Sequence, residues 1–281
     1  MPELPEVETI KNELEPYVIG HRITGITLCW EGIVREPSPQ EFCSRLVGQR
    51  VTGITRRGKY LLFHLDGGIL IIHLKMTGSL LLKQGTAQLD RFIRAVIYLD
   101  GGVTIYFRDP RKFGVMRLVR DASPVIGNLG PEPLEDDFSA QVLAERLQKR
   151  KAPLKAILND QSLVAGIGNM YADEALFSAR IHPQRSGSSL SPDEVKRLHR
   201  SIRQVLQGAI NDKGASVNTY FRPSGEKGTA HFEFRVAHQG GKSCPRCGTP
   251  IERITVRGRG TYFCPRCQRF NYRIGKYRFS S

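Results

Sequence analysis

The chain opens Met1-Pro2-Glu3-Leu4-Pro5-Glu6, two carboxylates beside an imino acid. Proline in second place permits removal of the initiator methionine, which would leave a secondary amine as the new terminus. An α-amino group titrates near 8 and a lysine near 10.4, so at pH 7 roughly a tenth of the former is neutral against a few parts in ten thousand of the latter. The terminus is therefore the better nucleophile, and its attack on a sugar C1′ can give only a cationic iminium, an electron sink for later elimination. Glu3 adjoins this amine and Glu6 lies one helical turn on, so one carboxyl is placed to protonate an opened sugar and the other to face a base. The same residues also make an ordinary helix start, since proline suits the first turn and acids favour the positive end of the helix dipole.

A second group of reactive residues stands near the other end. Cys244-x-x-Cys247 and Cys264-x-x-Cys267 are sixteen residues apart, the spacing at which two tight turns supply four thiolates to one tetrahedral zinc ion. Arg246, Arg253, Arg257, Arg259 and Arg266 lie in and between the two turns, so the finger presents cations to a partner. A zinc ribbon with a purely structural role is the other reading. Cys29 and Cys43 are isolated, and in a reducing compartment the pattern favours metal over disulfides.

These groups must be positioned by their surroundings. Val7, Ile10, Leu14 and Val18 fall near helical spacing and predict an initial helix. From about residue 22 to 120 the pattern is of strands: Tyr60 to Leu65, Ile69 to Leu74, Ala95 to Leu99 and Val103 to Phe107, with Gly67-Gly68 and Asp100-Gly101-Gly102 as hairpin turns. This predicts an antiparallel β-sandwich or flattened barrel carrying the first helix. Gly130-Pro131-Glu132-Pro133 reads as a hinge, after which Val142, Leu143 and Leu147 begin a helical period. Ser191-Pro192-Asp193-Glu194 is a capping box, and its helix runs through Ile210 to a stop at Gly214. Residues 218–230 carry turn chemistry and read as a long mobile loop. A basic, aromatic tail runs from Arg269 to Ser281.

Of 281 residues, 42 are Lys or Arg and 27 Asp or Glu, a net charge of +15 that favours a polyanionic partner, nucleic acid first. No apolar run approaches the roughly 20 residues of a membrane helix, and the acidic start is unlike a secretory signal. The expectation is a protein that stays inside the cell, with no membrane partner.

Several blocks occur in an order that resembles the formamidopyrimidine-DNA glycosylase family, in its 8-oxoguanine-excising branch: Met1-Pro-Glu-Leu-Pro-Glu-Val-Glu-Thr9, Arg56-Arg-Gly-Lys-Tyr60, His73-Leu-Lys-Met-Thr-Gly78, Asp109-Pro-Arg-Lys-Phe-Gly114, Leu129-Gly-Pro-Glu-Pro-Leu134, Val164-Ala-Gly-Ile-Gly-Asn-Met-Tyr171 and the finger. The resemblance implies a multidomain α+β chain: an N-terminal antiparallel β-sandwich with its helix (1–130), a helical domain with a helix-two-turns-helix element and a lesion loop (131–238), and a four-cysteine zinc finger with its tail (239–281). It implies base-excision repair of oxidised purines in duplex DNA, ending in β,δ-elimination at the abasic site, with one structural zinc and no organic cofactor. Pro2 is then the Schiff-base nucleophile, Glu3 the general acid, Lys59 the proton donor in β-elimination and Arg259 the finger residue at the neighbouring phosphate. His73, Lys151, Lys155 and Asn169 contact backbone phosphates, and Gly166-Ile-Gly168 exposes N–H groups to an anion. Met76, Arg111 and Phe113 fill the space left by a flipped base, although Met76 and Phe113 read blind would be core residues. Glu6 faces the base pocket.

Three departures bear on specificity. Phe92-Ile93-Arg94 replaces a frequent His-x-His, so a DNA contact is either remade by Arg94 or missing. Val236-Ala237-His238-Gln239 replaces a common Val-Tyr-Gly-Arg, and Asn218 stands where relatives can carry arginine. An enzyme of the same fold preferring oxidised pyrimidines, and a noncatalytic DNA-binding zinc protein, are the alternatives.

Overall fold

The computed structural model describes residues 1–84, 90–217 and 220–270; Asn218 and the tail beyond residue 270 lie outside them. The elements in chain order are α1 (Leu4–Val18), β1 (Ile23–Leu28), β2 (Val34–Glu36), α2 (Pro39–Leu46), β3 (Val51–Arg57), β4 (Tyr60–Leu65), β5 (Gly68–His73), β6 (Ser79–Gln84), β7 (Ile93–Leu99), β8 (Val103–Arg108), β9 (Val115–Val119), α3 (Ser123–Ile126), α4 (Ala140–Leu147), α5 (Leu154–Leu158), α6 (Asn169–Ala179), α7 (Pro192–Asn211), β10 (Glu252–Val256) and β11 (Arg259–Phe263). They fall into two compact units that interleave along the chain: Met1–Phe138 with Asp160–Gly168 and Arg203–Glu233, and the remainder.

The first unit is the expected sandwich. One sheet has strand order β1-β7-β8-β6, the other β2-β9-β5-β4-β3. Period-two alternation sends Leu61, Phe63, Leu70, Ile72, Ile97, Ile105 and Phe107 into one core between them. The opposite face of the larger sheet is also covered, with Leu62, Ile71 and Ala122 packed against Val125 and Ile126 of α3. That double cover explains why Tyr60–Leu65 reads as almost continuously apolar. Both glycine-marked turns form antiparallel hairpins, but β2 pairs with β9 in parallel, so the sandwich is not wholly antiparallel. Val7, Ile10, Leu14 and Val18 of α1 are all at most 1% exposed; at about 1.5–3 kcal/mol each, their burial outweighs the weak intrinsic helicity of a segment containing Pro16.

Two expectations change in this unit. The hinge segment is tied in: Gly130 N–H donates to Gln161 O (2.9 Å), and Glu132 receives Arg56 and Arg57. The described part of 218–230 is also held, because Tyr220 is buried in the core, Arg222 pairs with Glu13 and Glu226 (both 2.7 Å), and Leu82 N–H donates to Pro223 O. A stretch without apolar periodicity is here ordered by ion pairs and backbone bonds.

In the second unit α4, α5 and α6 precede the hairpin of β10 and β11. The capping box at α7 forms as its sequence predicts, with Ser191 N–H on Glu194 (2.8 Å) and Glu194 N–H on the Ser191 hydroxyl. The Glu174 carboxylate accepts the N–H groups of Arg235, Val236 and Ala237, which fixes the segment leading into the finger. His238 takes φ +61° where the common family sequence has glycine. Its left-handed backbone is the reason glycine suits the position, and its ring lies 5.6 Å from that of Tyr262.

Candidate active site and nucleic-acid interface

At the amino end Pro2 is buried and Met1 is 44% exposed. Glu3 caps α1, its N–H donating to Glu6 Oε2 at 2.7 Å in a reciprocal capping box. Leu4 N–H donates to Gly166 O at 3.0 Å. The Glu3 carboxylate, 1% exposed, accepts Gly168 N–H at 2.6 Å. Glycine is required at both positions of Gly166-Ile-Gly168: Gly166 has φ +86° and a β-carbon there would stand 2.7 Å from Leu4, while one on Gly168 would stand 2.3 Å from the Glu3 carboxyl carbon. The expectation that these N–H groups face an external anion is corrected, since Gly168 serves Glu3 and Gly166 N–H donates to Gln161 Oε1 (3.0 Å). The anion at this turn is the protein's own carboxylate. Glu6 is fully buried, and its Oε1 accepts Ala215 N–H at 2.7 Å; it ties α1 to the segment just after Gly214.

Lys59 lies in the turn between β3 and β4 and is 6% exposed. The turn is braced by Glu132, which accepts Gly58 N–H, Arg57 and Arg56, while Arg56 also pairs with Glu8 at 2.7 Å. Two cations of the Arg56-Arg57 block are thus engaged in holding Lys59. His73, opposite Tyr60 in the sheet, accepts Lys75 N–H on Nδ1 at 2.9 Å, which puts the proton of the neutral ring on Nε2. Burial first, then the charges of Lys75 and Lys59, lower its pKa to about 3. His73 is therefore a neutral donor at physiological pH.

Met76 and Phe113 are each 43% exposed and not in the core. Arg111 is exposed between them, its guanidinium 4.5 Å from the Phe113 ring centre and Nη1 3.5 Å from the Met76 sulfur. The three form one cluster of wedge, cation and aromatic face. Arg94 is corrected: it is 8% exposed, and its guanidinium donates to the carbonyls of Asp109 (2.8 Å) and Arg91 (3.0 Å). Its guanidinium is turned inward, onto the chain's own carbonyls.

In the second unit Lys155 is likewise corrected. It has no exposed surface, and its ammonium binds the Asp173 carboxylate at 2.6 Å and the Asn169 carbonyl. Burial pushes the Asp173 carboxyl up to about 7, with the Lys155 charge acting against it. Asn169 Nδ2 donates to Gly260 O (2.9 Å) and Asp173 accepts Tyr262 N–H (3.2 Å), so α6 grips β11 beside Arg259. Arg259 and Lys151 are exposed. Arg259 follows a two-residue turn in which Arg257 and Gly258 both have positive φ (47° and 76°), the primed geometry a tight hairpin needs.

The four cysteine sulfurs lie within 4.8 Å of one another, with Cys244–Cys267 at 3.9 Å and Cys247–Cys264 at 3.5 Å. A tetrahedron of zinc–sulfur bonds near 2.3 Å requires edges of about 3.8 Å, so the set fits one zinc ion. Arg246, within the first Cys turn, is exposed but caps α6 by donating to the carbonyls of Phe177 (2.6 Å) and Ser178. The residues that sequence reasoning missed are the bracing carboxylates Asp109, Glu132, Asp173 and Glu174. Asp109 and Glu132 stand inside the matched blocks, where an acid amid basic and glycine residues was the available signal.

Residues 1–116 match the model of the formamidopyrimidine-DNA glycosylase N-terminal domain, 129–220 that of its H2TH domain, and 241–269 the zinc finger found in FPG and IleRS. The chain is 46% identical over 272 residues to the formamidopyrimidine-DNA glycosylase of Symbiobacterium thermophilum, covering 95% of this chain and 89% of that protein. It is 47% identical to that of Chloroflexus aurantiacus over 95% and 98%. Among solved structures, the Lactococcus lactis Fpg with an abasic site containing DNA aligns with TM-score 0.89 and 37% identity over 95% of this chain and 99% of that one. The complex with N7-benzyl-Fapy-dG containing DNA aligns with TM-score 0.89 and 36% identity over 95% and 100%.

Proposed function

The chain belongs to the formamidopyrimidine-DNA glycosylase family, and from that membership we infer that it is a bifunctional base-excision repair enzyme, a DNA glycosylase for 8-oxoguanine and formamidopyrimidines and a lyase for the abasic site left behind. Its partner is double-stranded DNA carrying such a lesion, met by a single chain in a bacterial cytoplasm. Relatives bearing the name are bacterial, and similar folds are recorded on Fapy-dG and abasic DNA.

Pro2, once Met1 is removed, attacks C1′ through its secondary amine and the base departs. Glu3 supplies a proton to the sugar oxygen as the ring opens, and the nitrogen becomes an iminium. Loss of a C2′ proton then expels the 3′ phosphate, with Lys59 as proton donor, and a second elimination expels the 5′ phosphate, with Arg259 beside it. Met76, Arg111 and Phe113 occupy the vacancy in the duplex, while His73, Lys151 and Asn169 bind phosphates. Zinc holds the finger that carries Arg259. The observation that carries the reading is the buried Glu3 carboxylate, one residue from the amine and fixed at 2.6 Å by Gly168 N–H.

Borohydride trapping tests it. Reduction during reaction with 8-oxoguanine duplex is expected to leave the chain bonded to DNA through Pro2, and blocking or extending the terminus to abolish the adduct. Attachment at Lys59, or an adduct that survives blocking, overturns the proline assignment. No adduct on any oxidised base or abasic site returns the noncatalytic zinc protein.

A further inference from the structure

We propose that Asp109 is a positioning residue for base extrusion, its buried carboxylate holding Met76, Arg111 and Phe113 ready before DNA arrives. The inference rests on the reading of those three as the residues that fill the vacancy. They come from two separate loops, one after β5 and one after β8. Asp109 stands at the root of the second and is fully buried. Its Oδ1 accepts the hydroxyl of Thr77, next to Met76, and the N–H of Arg111 (3.2 Å); its Oδ2 accepts the N–H groups of Phe113 and Gly114 (both 2.7 Å). One carboxylate thus touches the neighbour of the wedge and the backbone of both other residues. A buried carboxylate is tolerated when donors converge on it, and four do so here.

The rest of the bracket agrees. Arg94 donates to the Asp109 carbonyl from behind. Lys75, beside Met76, and Lys112, between Arg111 and Phe113, are held at φ 54° and 59°, a conformation that a side-chain-bearing residue keeps only where its surroundings impose it. Gly78 and Gly114, one in each loop, press on the same Phe107 ring, where a β-carbon would stand 3.0 and 2.5 Å away. Loops that must invade a duplex lose affinity if they are ordered only on binding, and prior ordering removes that cost.

The zinc-loaded full chain is compared as wild type, Asp109→Asn, Thr77→Val and Arg111→Ala. Asparagine keeps the shape but replaces one acceptor oxygen by a donor, so it faces N–H groups it cannot satisfy. Base unstacking is followed by stopped-flow fluorescence of 2-aminopurine beside 8-oxoguanine, and chemistry by nicking at a preformed abasic site, where extrusion is easier. Asp109→Asn should slow unstacking and excision about tenfold or more while nicking stays within about threefold, and Thr77→Val should shift unstacking about two- to threefold in the same sense. If Arg111→Ala shows the selective loss but Asp109→Asn and Thr77→Val match wild type, the inference is overturned and the reading of the three residues stands. If Arg111→Ala loses both activities equally, that reading fails and the inference with it. Should Asp109→Asn melt early, Thr77→Val decides: unstacking at the wild-type rate overturns the proposal.

Discussion

Gly168→Ala is the substitution whose effect the geometry defines most closely. Its backbone is not left-handed, so alanine costs little there in conformational terms. The added carbon would stand 2.3 Å from the Glu3 carboxyl carbon and 2.6 and 2.7 Å from its oxygens. Ordinary contact lies near 3.4 Å, so the carboxyl must retreat by about 1 Å, and its 2.6 Å bond from Gly168 N–H breaks with that movement. A displacement of about 1 Å at a reacting group can cost on the order of a hundredfold in rate. Single-turnover excision of 8-oxoguanine with enzyme in excess measures it, beside DNA binding and nicking at a preformed abasic site. Excision should fall about a hundredfold, binding should hold within a few-fold, and nicking should fall less because the base has already gone. Gly166→Ala is the contrast: φ +86° and a 2.7 Å approach to Leu4 place its cost in stability. Excision by Gly168→Ala within about threefold of wild type would refute the role given to Glu3.

Cys244→Ser or Cys264→Ser should abolish stoichiometric zinc and DNA binding together, measured by metal analysis and band shift, because such a site contributes folding energy outright. His73→Gln should weaken DNA binding without changing its salt slope, since a neutral donor releases no counterion, whereas Lys151→Gln should lower the slope by about 1. His73 has a folded pKa of about 3, below the ordinary 6.5, so the unfolded chain takes the proton more readily; its stabilising effect is complete above pH 6.5 and is lost as pH falls toward 3. Urea unfolding at pH 7.5 and 5 should show wild type losing more stability than His73→Gln. Lys155→Met strands the buried Asp173 carboxylate and should cost about 3–5 kcal/mol by denaturant titration, with Lys155→Met/Asp173→Leu recovering much of it.

What could be read from the chain alone was periodic or covalent. Short apolar runs bounded by glycine turns revealed β4, β7 and β8, and Ser191 to Glu194 marked the start of α7 because its cap is local. The zinc set was legible since two Cys-x-x-Cys turns leave few alternatives. Lys155 and Arg94 were misjudged for one physical reason: a cation's destination depends on whether a carboxylate or carbonyl 14 to 18 residues away folds onto it, and no local pattern carries that. The segment after Tyr220 escaped for the same reason, its order coming from Glu13 and Leu82, far back in the chain.

The gross count of 42 Lys and Arg therefore overstates the number of cations free to meet DNA. Arg56, Arg57, Arg94, Lys155, Arg222 and Arg246 each meet a carboxylate or carbonyl of the chain itself. Their partners recur at the functional groups: Glu132 braces the turn of Lys59, Asp173 the residues beside Arg259, and the Asp109 carbonyl the loop of Arg111 and Phe113. A buried ion pair adds little net stability over a well-packed apolar substitute but imposes one geometry, because either partner left alone is costly. Stability alone would be served as well by leucine and methionine at those positions. The geometry required by an amine, a carboxyl and three side chains that must meet an extruded nucleotide would not.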